Sequence, residues 1–138
     1  MVLNKRRGFT LIELLIAMVI VGILVAVVLP SYTTYVQRSR RADAMSTLAQ
    51  NQMILERCYS QSFSYSATCA GLPTFPSTSS QGFYTISLSN LTASTYTLTA
   101  TARGAQAQDT TCTSMTINQA NVQTAANSTG TSQTTCWA

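Results

Sequence analysis

The stretch "GFTLIELLIAMVIVGILVAVVLP", residues 8–30, decides how the rest of the chain is read. Across residues 9–29 every side chain is apolar, small or threonine except that of Glu13. A helix over that stretch covers about 30 Å at 1.5 Å per residue, one hydrocarbon thickness. A carboxylate inside such a segment costs roughly 2.5–3.5 kcal/mol at the bilayer centre on insertion scales, and less near an end. Glu13 therefore needs a partner. Lys5, Arg6 and Arg7 stand just before the run, and Pro30 interrupts it.

An ordinary secretory signal has a shorter apolar core, about 7–15 residues, followed by a small-x-small cleavage site. This run is longer, and no Ala-x-Ala follows it before Pro30. The basic residues before it are matched by Arg38, Arg40 and Arg41 after it, so charge alone leaves the orientation open. The cysteines decide it. Cys58, Cys69, Cys112 and Cys136 all lie beyond the run, with no Cys-x-x-Cys spacing and no histidine to complete a metal site. An even count of that kind reads as disulfides in an oxidising compartment, which puts the leader inside and the domain outside. Cys58–Cys69 and Cys112–Cys136 are the expected pairs, because each closes a local loop without strong secondary structure.

After Pro30 a helical period resumes. Met45, Leu48, Gln52, Leu55 and Tyr59 recur at three- and four-residue steps, an amphipathic face that needs a cover. The simplest element is one long helix from about residue 9 to 59, kinked near Pro30. The cover lies downstream. Tyr84, Ile86 and Leu88 alternate with polar residues, as do Tyr96, Leu98, Ala100 and Ala102, and then Met115 and Ile117. Period-2 alternation broken by Ser89-Asn90 and Gly104 predicts an antiparallel meander with one buried face. Residues 69–82 read as a loop, and the chain past Asn118 reads as polar and irregular up to Cys136-Trp137. The fold class is α+β, a long helix packed on a meander.

Of the 138 residues, eight are basic and four acidic, a formal charge of +4, but Lys5, Arg6 and Arg7 supply most of that excess. Beyond Ala42 only Arg57 and Arg103 stand against Asp43, Glu56 and Asp109. A duplex binder touching about 6–10 phosphates needs a comparable set of basic groups, so direct DNA binding is not expected from this count. With no histidine and scattered acids there is no plausible acid–base pair, so no enzyme, metal or cofactor is expected.

Gly8-Phe9-Thr10-Leu11-Ile12-Glu13, behind its short basic leader, resembles the signature of type IV prepilins. The segment "SYTTYVQRSRRADA" (31–44) is similar to the stretch just past the membrane span in pilins with short leaders. The terminal Cys112–Cys136 loop resembles the disulfide-bounded C-terminal region of these proteins, and "LTASTYTLTAT" (91–101) with the Cys-Trp ending is similar to the type IVa, PilE-like subgroup, whether of major or minor subunits. The resemblance implies a pilin fold in which residues 1–8 are a leader cut off after Gly8 by a prepilin peptidase. Phe9 then becomes a methylated N-terminus, residues 9–30 a transmembrane and polymerisation helix, and residues 31–138 the globular domain with the amphipathic second half of the helix. Cleavage would free an α-amine at Phe9 to pair with Glu13, within the chain at i and i+4 or, as the family implies, across to a neighbouring subunit. Glu13 would then pin the register of assembly. Gly22 and Pro30 match positions between which pilin helices unwind in filaments. The implied partners are other pilin subunits, the peptidase, an inner-membrane assembly platform and the lipid bilayer before assembly. The implied location is the inner membrane, then a surface pilus supporting adhesion, twitching motility or DNA uptake. The alternatives are a DNA-binding uptake pilin and a secretion pseudopilin. The latter usually lacks paired C-terminal cysteines and often has an Asp-rich calcium site, whereas this chain has the cysteines and only Asp109 there.

Overall fold

A computed structural model describes residues 8–68 and 70–137. The chain divides at Val36–Gln37 into two compact units. One helix, α1 (Leu11–Ser62, 52 residues), supplies most of the first unit and the opening element of the second. It starts later and ends later than the periodicity predicts, and it runs unbroken through Pro30.

In the first unit the apolar side chains have nothing to pack on. Leu11 is 79% exposed, Met18 67% and Val27 67%. This part of α1 is long and apolar enough to cross a membrane. At Pro30 the ring removes the N–H that Ala26 would otherwise receive in an α-helix. The Pro30 carbonyl, in turn, accepts from the hydroxyls of Thr33 (2.9 Å) and Thr34 (3.1 Å).

In the second unit the buried face of α1 runs through Arg41, Ala44, Leu48, Asn51, Leu55 and Cys58, in alternating steps of three and four. Gln52 and Met45 lie at its margin and Tyr59 is outside it, so the stripe is rotated from the one the apolar residues alone suggest. The reason is that charged Arg41 and polar Asn51 are buried. Five strands follow in chain order: β1 (Ser77–Thr78), β2 (Tyr84–Ser89), β3 (Thr97–Ala102), β4 (Ser114–Asn118) and β5 (Gln123–Ala126). Each pairs antiparallel with the next, giving a meander of order β1-β2-β3-β4-β5. A short 3-10 helix, Gly104–Gln108, links β3 to β4. Tyr84 and Ile86, Leu98 and Ala100, and Met115 and Ile117 point inward and share one core with Ala44, Leu48 and Leu55. Burying side chains of this size is worth about 1.5–3 kcal/mol each, which is what holds the helix to the sheet.

The opposite face is almost all hydroxyl. The register sets Thr85 beside Thr101, Ser87 beside Thr99, Thr99 beside Thr116, and Thr116 beside Thr124, whose hydroxyls are hydrogen-bonded. Where the sequence predicts an irregular tail, β5 instead extends the sheet, and Ala126 bridges to Ser132 beyond it. Cys112 and Cys136 are disulfide-bonded with Cα atoms 5.7 Å apart, and the Trp137 indole N–H donates to the Thr124 carbonyl at 2.9 Å. The expected Cys58–Cys69 bridge involves Cys69, which lies outside the described residues, as do residues 1–7 of the expected leader.

Candidate functional site

The start of α1 brings together the residues that the N-terminal signature singles out. Gly8 and Phe9 precede the helix, both exposed, with Phe9 at 89%. A side chain at Gly8 would meet nothing within 4 Å, so the structure itself places no demand for glycine there. Thr10 is the N-cap: its carbonyl accepts from the Leu14 N–H at 3.3 Å, the first bond of the helix. The Thr10 N–H and hydroxyl both donate to Glu13 Oε2 at 2.9 Å, while the Glu13 N–H donates to the Thr10 hydroxyl at 3.3 Å. This is a reciprocal capping box, in which Thr and a Glu three residues on satisfy each other's orphan groups. Glu13 thus has a partner within its own chain, and that partner is Thr10. The signal was in the sequence: Thr-x-x-Glu before an apolar run is a helix-start signature. Glu13 also carries the negative charge on the positive end of the helix dipole. Gly22 has open space around it, within the exposed apolar part of α1.

The second unit is organised by a buried polar network that spans distant parts of the chain. Arg41 makes a two-pronged ion pair with Asp109, Nε to Oδ2 at 2.8 Å and Nη2 to Oδ1 at 3.0 Å. The Gln106 amide donates to the Gln37 carbonyl (3.2 Å), the Tyr84 hydroxyl (3.1 Å) and Asp109 (3.1 Å). The Cys112 N–H donates to Asp109 at 3.2 Å, fixing the start of the disulfide loop to the same pair. Asp43 accepts from the Ser79 hydroxyl (2.5 Å) and from the N–H groups of Gln81 (3.0 Å) and Phe83 (3.4 Å). Farther along α1, Glu56 accepts from the phenols of Tyr65 (3.1 Å) and Tyr96 (2.9 Å). Burial pushes the Tyr96 phenol up, and the Glu56 carboxylate pushes it further.

These contacts change the charge seen by solvent. Asp43 and Asp109 are both buried, at 2% exposure, and Arg41 is spent on Asp109. Arg38, Arg57 and Arg103 are exposed, Arg40 is half-buried over the Phe83 ring, and half-buried Glu56 is the one other acid in this unit. A tally that weighs every acid equally underestimates how basic the surface is.

The profile of the family described as "Type IV minor pilin ComP, DNA uptake sequence receptor" matches residues 30–116, and the prokaryotic N-terminal methylation motif matches residues 3–29. The chain belongs to this type IV minor pilin family. As a type IV pilin it is similar to the type IV major fimbrial protein FimA of Dichelobacter nodosus, at 43% identity over 55 residues, 40% of this chain and 35% of that one. It is also similar to prepilin peptidase-dependent protein D of Escherichia coli, at 36% identity over 56 residues, 41% of this chain and 38% of that one. The match thus spans little more than a third of the length of these curated relatives. In three dimensions the pilin resembles the Neisseria meningitidis non-core minor pilin PilV, with a TM-score of 0.55 at 20% identity, over 70% of this chain and 93% of that one. The shared fold is the pilin fold, a long N-terminal helix on an antiparallel sheet.

Proposed function

We propose that this pilin is made as a membrane-held precursor and becomes a structural subunit of a type IV pilus, with no enzymatic role. The observation that carries the reading is the run from Leu11 to Leu29, apolar but for Glu13 and exposed throughout, overlapped by the methylation motif. A prepilin peptidase removes residues 1–8 after Gly8 and methylates Phe9. Residues 9–30 hold the subunit in the inner membrane until an assembly platform there passes it into the fibre. Residues 31–138 lie outside, stapled by Cys58–Cys69 and Cys112–Cys136. Cleavage turns the Phe9 amide nitrogen into an ammonium, and a buried ammonium compensates the buried Glu13 carboxylate. A neighbour's ammonium does the same and fixes the axial register. N-terminal mass spectrometry of fibres sheared from cells tests this. The mature chain should begin at methylated Phe9, and a bulky residue in place of Gly8 should leave uncut precursor and bare cells. Normal piliation of that variant overturns the reading.

A second reading is favoured by the family itself, whose description names a DNA uptake sequence receptor. Burial of Asp43 and Asp109 lessens the repulsion of a phosphate backbone but adds no basic group, and Arg38, Arg40, Arg57 and Arg103 are the available phosphate contacts, fewer than the about 6–10 of a typical duplex binder. So few arginines limit the salt dependence. Duplex binding should show a slope of log K against log salt no steeper than about −4, reduced by about 1 on each Arg→Gln change. Fluorescence anisotropy on the detergent-solubilised mature chain, without Lys5, Arg6 and Arg7, measures it. No binding at low salt returns the chain to a purely structural role.

A further inference from the structure

The capping box gives Glu13 two competing partners at two stages of the subunit's life, and this inference rests on the proposed register role of Glu13. In the uncut chain the carboxylate is held by the Thr10 N–H and hydroxyl, each at 2.9 Å, and the Thr10 hydroxyl accepts from the Glu13 N–H in return. Thr10 is the only side chain hydrogen-bonded to Glu13 among the described residues. We propose that Thr10 is a positioning residue that keeps Glu13 satisfied while the precursor waits in the bilayer, and that assembly exchanges this hydroxyl for a neighbour's α-amine.

Three physical points carry it. A carboxylate within an apolar span is costly unless its oxygens are bonded, and the first turn of a helix offers donors that need partners of their own. The box solves both problems inside one turn, without a second chain. It is also weak enough to be given up, because a carboxylate held by neutral donors is bound less tightly than one paired with an ammonium, where both partners carry charge. A partner too strong at the waiting stage would hold Glu13 back from the fibre. A missing one would leave the charge bare.

The test uses the full uncut chain in bilayer nanodiscs, with hydrogen exchange at the Thr10 and Glu13 amides read by NMR. Thr10→Ser should exchange as wild type does. Thr10→Val should speed exchange at Glu13 by roughly five- to tenfold, the usual effect of losing a cap. Glu13→Ala should do the same at Thr10, and in the double variant each amide should exchange as in the single variant that removes its own acceptor, because the Thr10 hydroxyl and the Glu13 carboxylate serve different amides. Wild-type protection at Glu13 in Thr10→Val, or at Thr10 in Glu13→Ala, overturns the shield. In fibres, Thr10→Val should resist detergent dissociation as well as wild type, because by then the amine has replaced the hydroxyl. Fibres weakened as much as the precursor overturn the exchange. If Glu13→Ala builds normal fibres, the register role itself falls, a result distinguishable from either outcome above.

Discussion

Glu56 shows what a single half-buried carboxylate does in this domain. It accepts from Tyr65 and Tyr96, and Tyr65 stacks on Tyr59 at 4.6 Å and meets Tyr96 edge-on at 4.8 Å. Burial first, then Glu56, raise the Tyr65 and Tyr96 phenols above the ordinary value, and burial raises Tyr84 likewise. Unfolded phenols ionise near pH 10. A group whose folded pKa is raised contributes stability that is complete below the unfolded value and is lost as pH climbs beyond it. Urea unfolding across an alkaline series should therefore show stability falling above about pH 10, and Tyr96→Phe should flatten that fall. A pH-independent midpoint would contradict this. Arg41 and Asp109 allow a sharper test. Asp109→Asn strands a buried guanidinium and should cost about 3–5 kcal/mol in thermal unfolding, whereas replacing both members with apolar residues of similar volume should cost much less. None of this was legible from pattern. The pair is 68 residues apart in sequence, and a charge count carries no information about which charges are inside.

At the scale of elements, local periodicity carried most of the legible information. The apolar run predicts the first part of α1, three- and four-residue spacing predicts the second, and strict alternation predicts β2, β3 and β4. β5 was hidden because Gln123–Ala126 buries only Ala125, and Gln-Thr-Ala-Ala carries one polar and one small residue on each face, so it shows no alternation. β1 is two residues long, too short for any pattern. The buried helix face was misplaced for a similar reason: Arg41 and Asn51 are polar yet inside. Pro30 belongs to this scale as well. A proline in a helix interior costs about 3 kcal/mol, and Gly22 about 1, so the stretch between them is the weakest part of α1. Pro30→Ala should slow amide exchange around residues 26–30 in the membrane-held subunit. If helix melting between Gly22 and Pro30 accompanies fibre formation, that variant should also assemble more slowly. Unchanged exchange would show that Pro30 does not weaken the helix.

For the molecule as a whole, the disulfide is the tie that keeps a weakly apolar C-terminal segment folded. The Cys112–Cys136 link closes a loop spanning 24 positions that includes β4 and β5. Replacing both cysteines with serine should cost about 3 kcal/mol in the chain-entropy account, with β5 melting first, as seen by thermal unfolding and limited proteolysis. Non-reducing peptide mapping should find Cys58 linked to Cys69, and a Cys58–Cys112 or Cys58–Cys136 peptide would refute the second staple. The outward face of the sheet has a further consequence. Thr85, Ser87, Thr99, Thr101, Thr116 and Thr124 wet it with hydroxyls rather than ions. Colloids stabilised by like charge coagulate as added salt screens their mutual repulsion. A sheet face that never relied on repulsion has nothing there to be screened. Added simple salt should therefore not bring particles together through this face, which should desolvate only when kosmotropic ions strip the hydration layer itself.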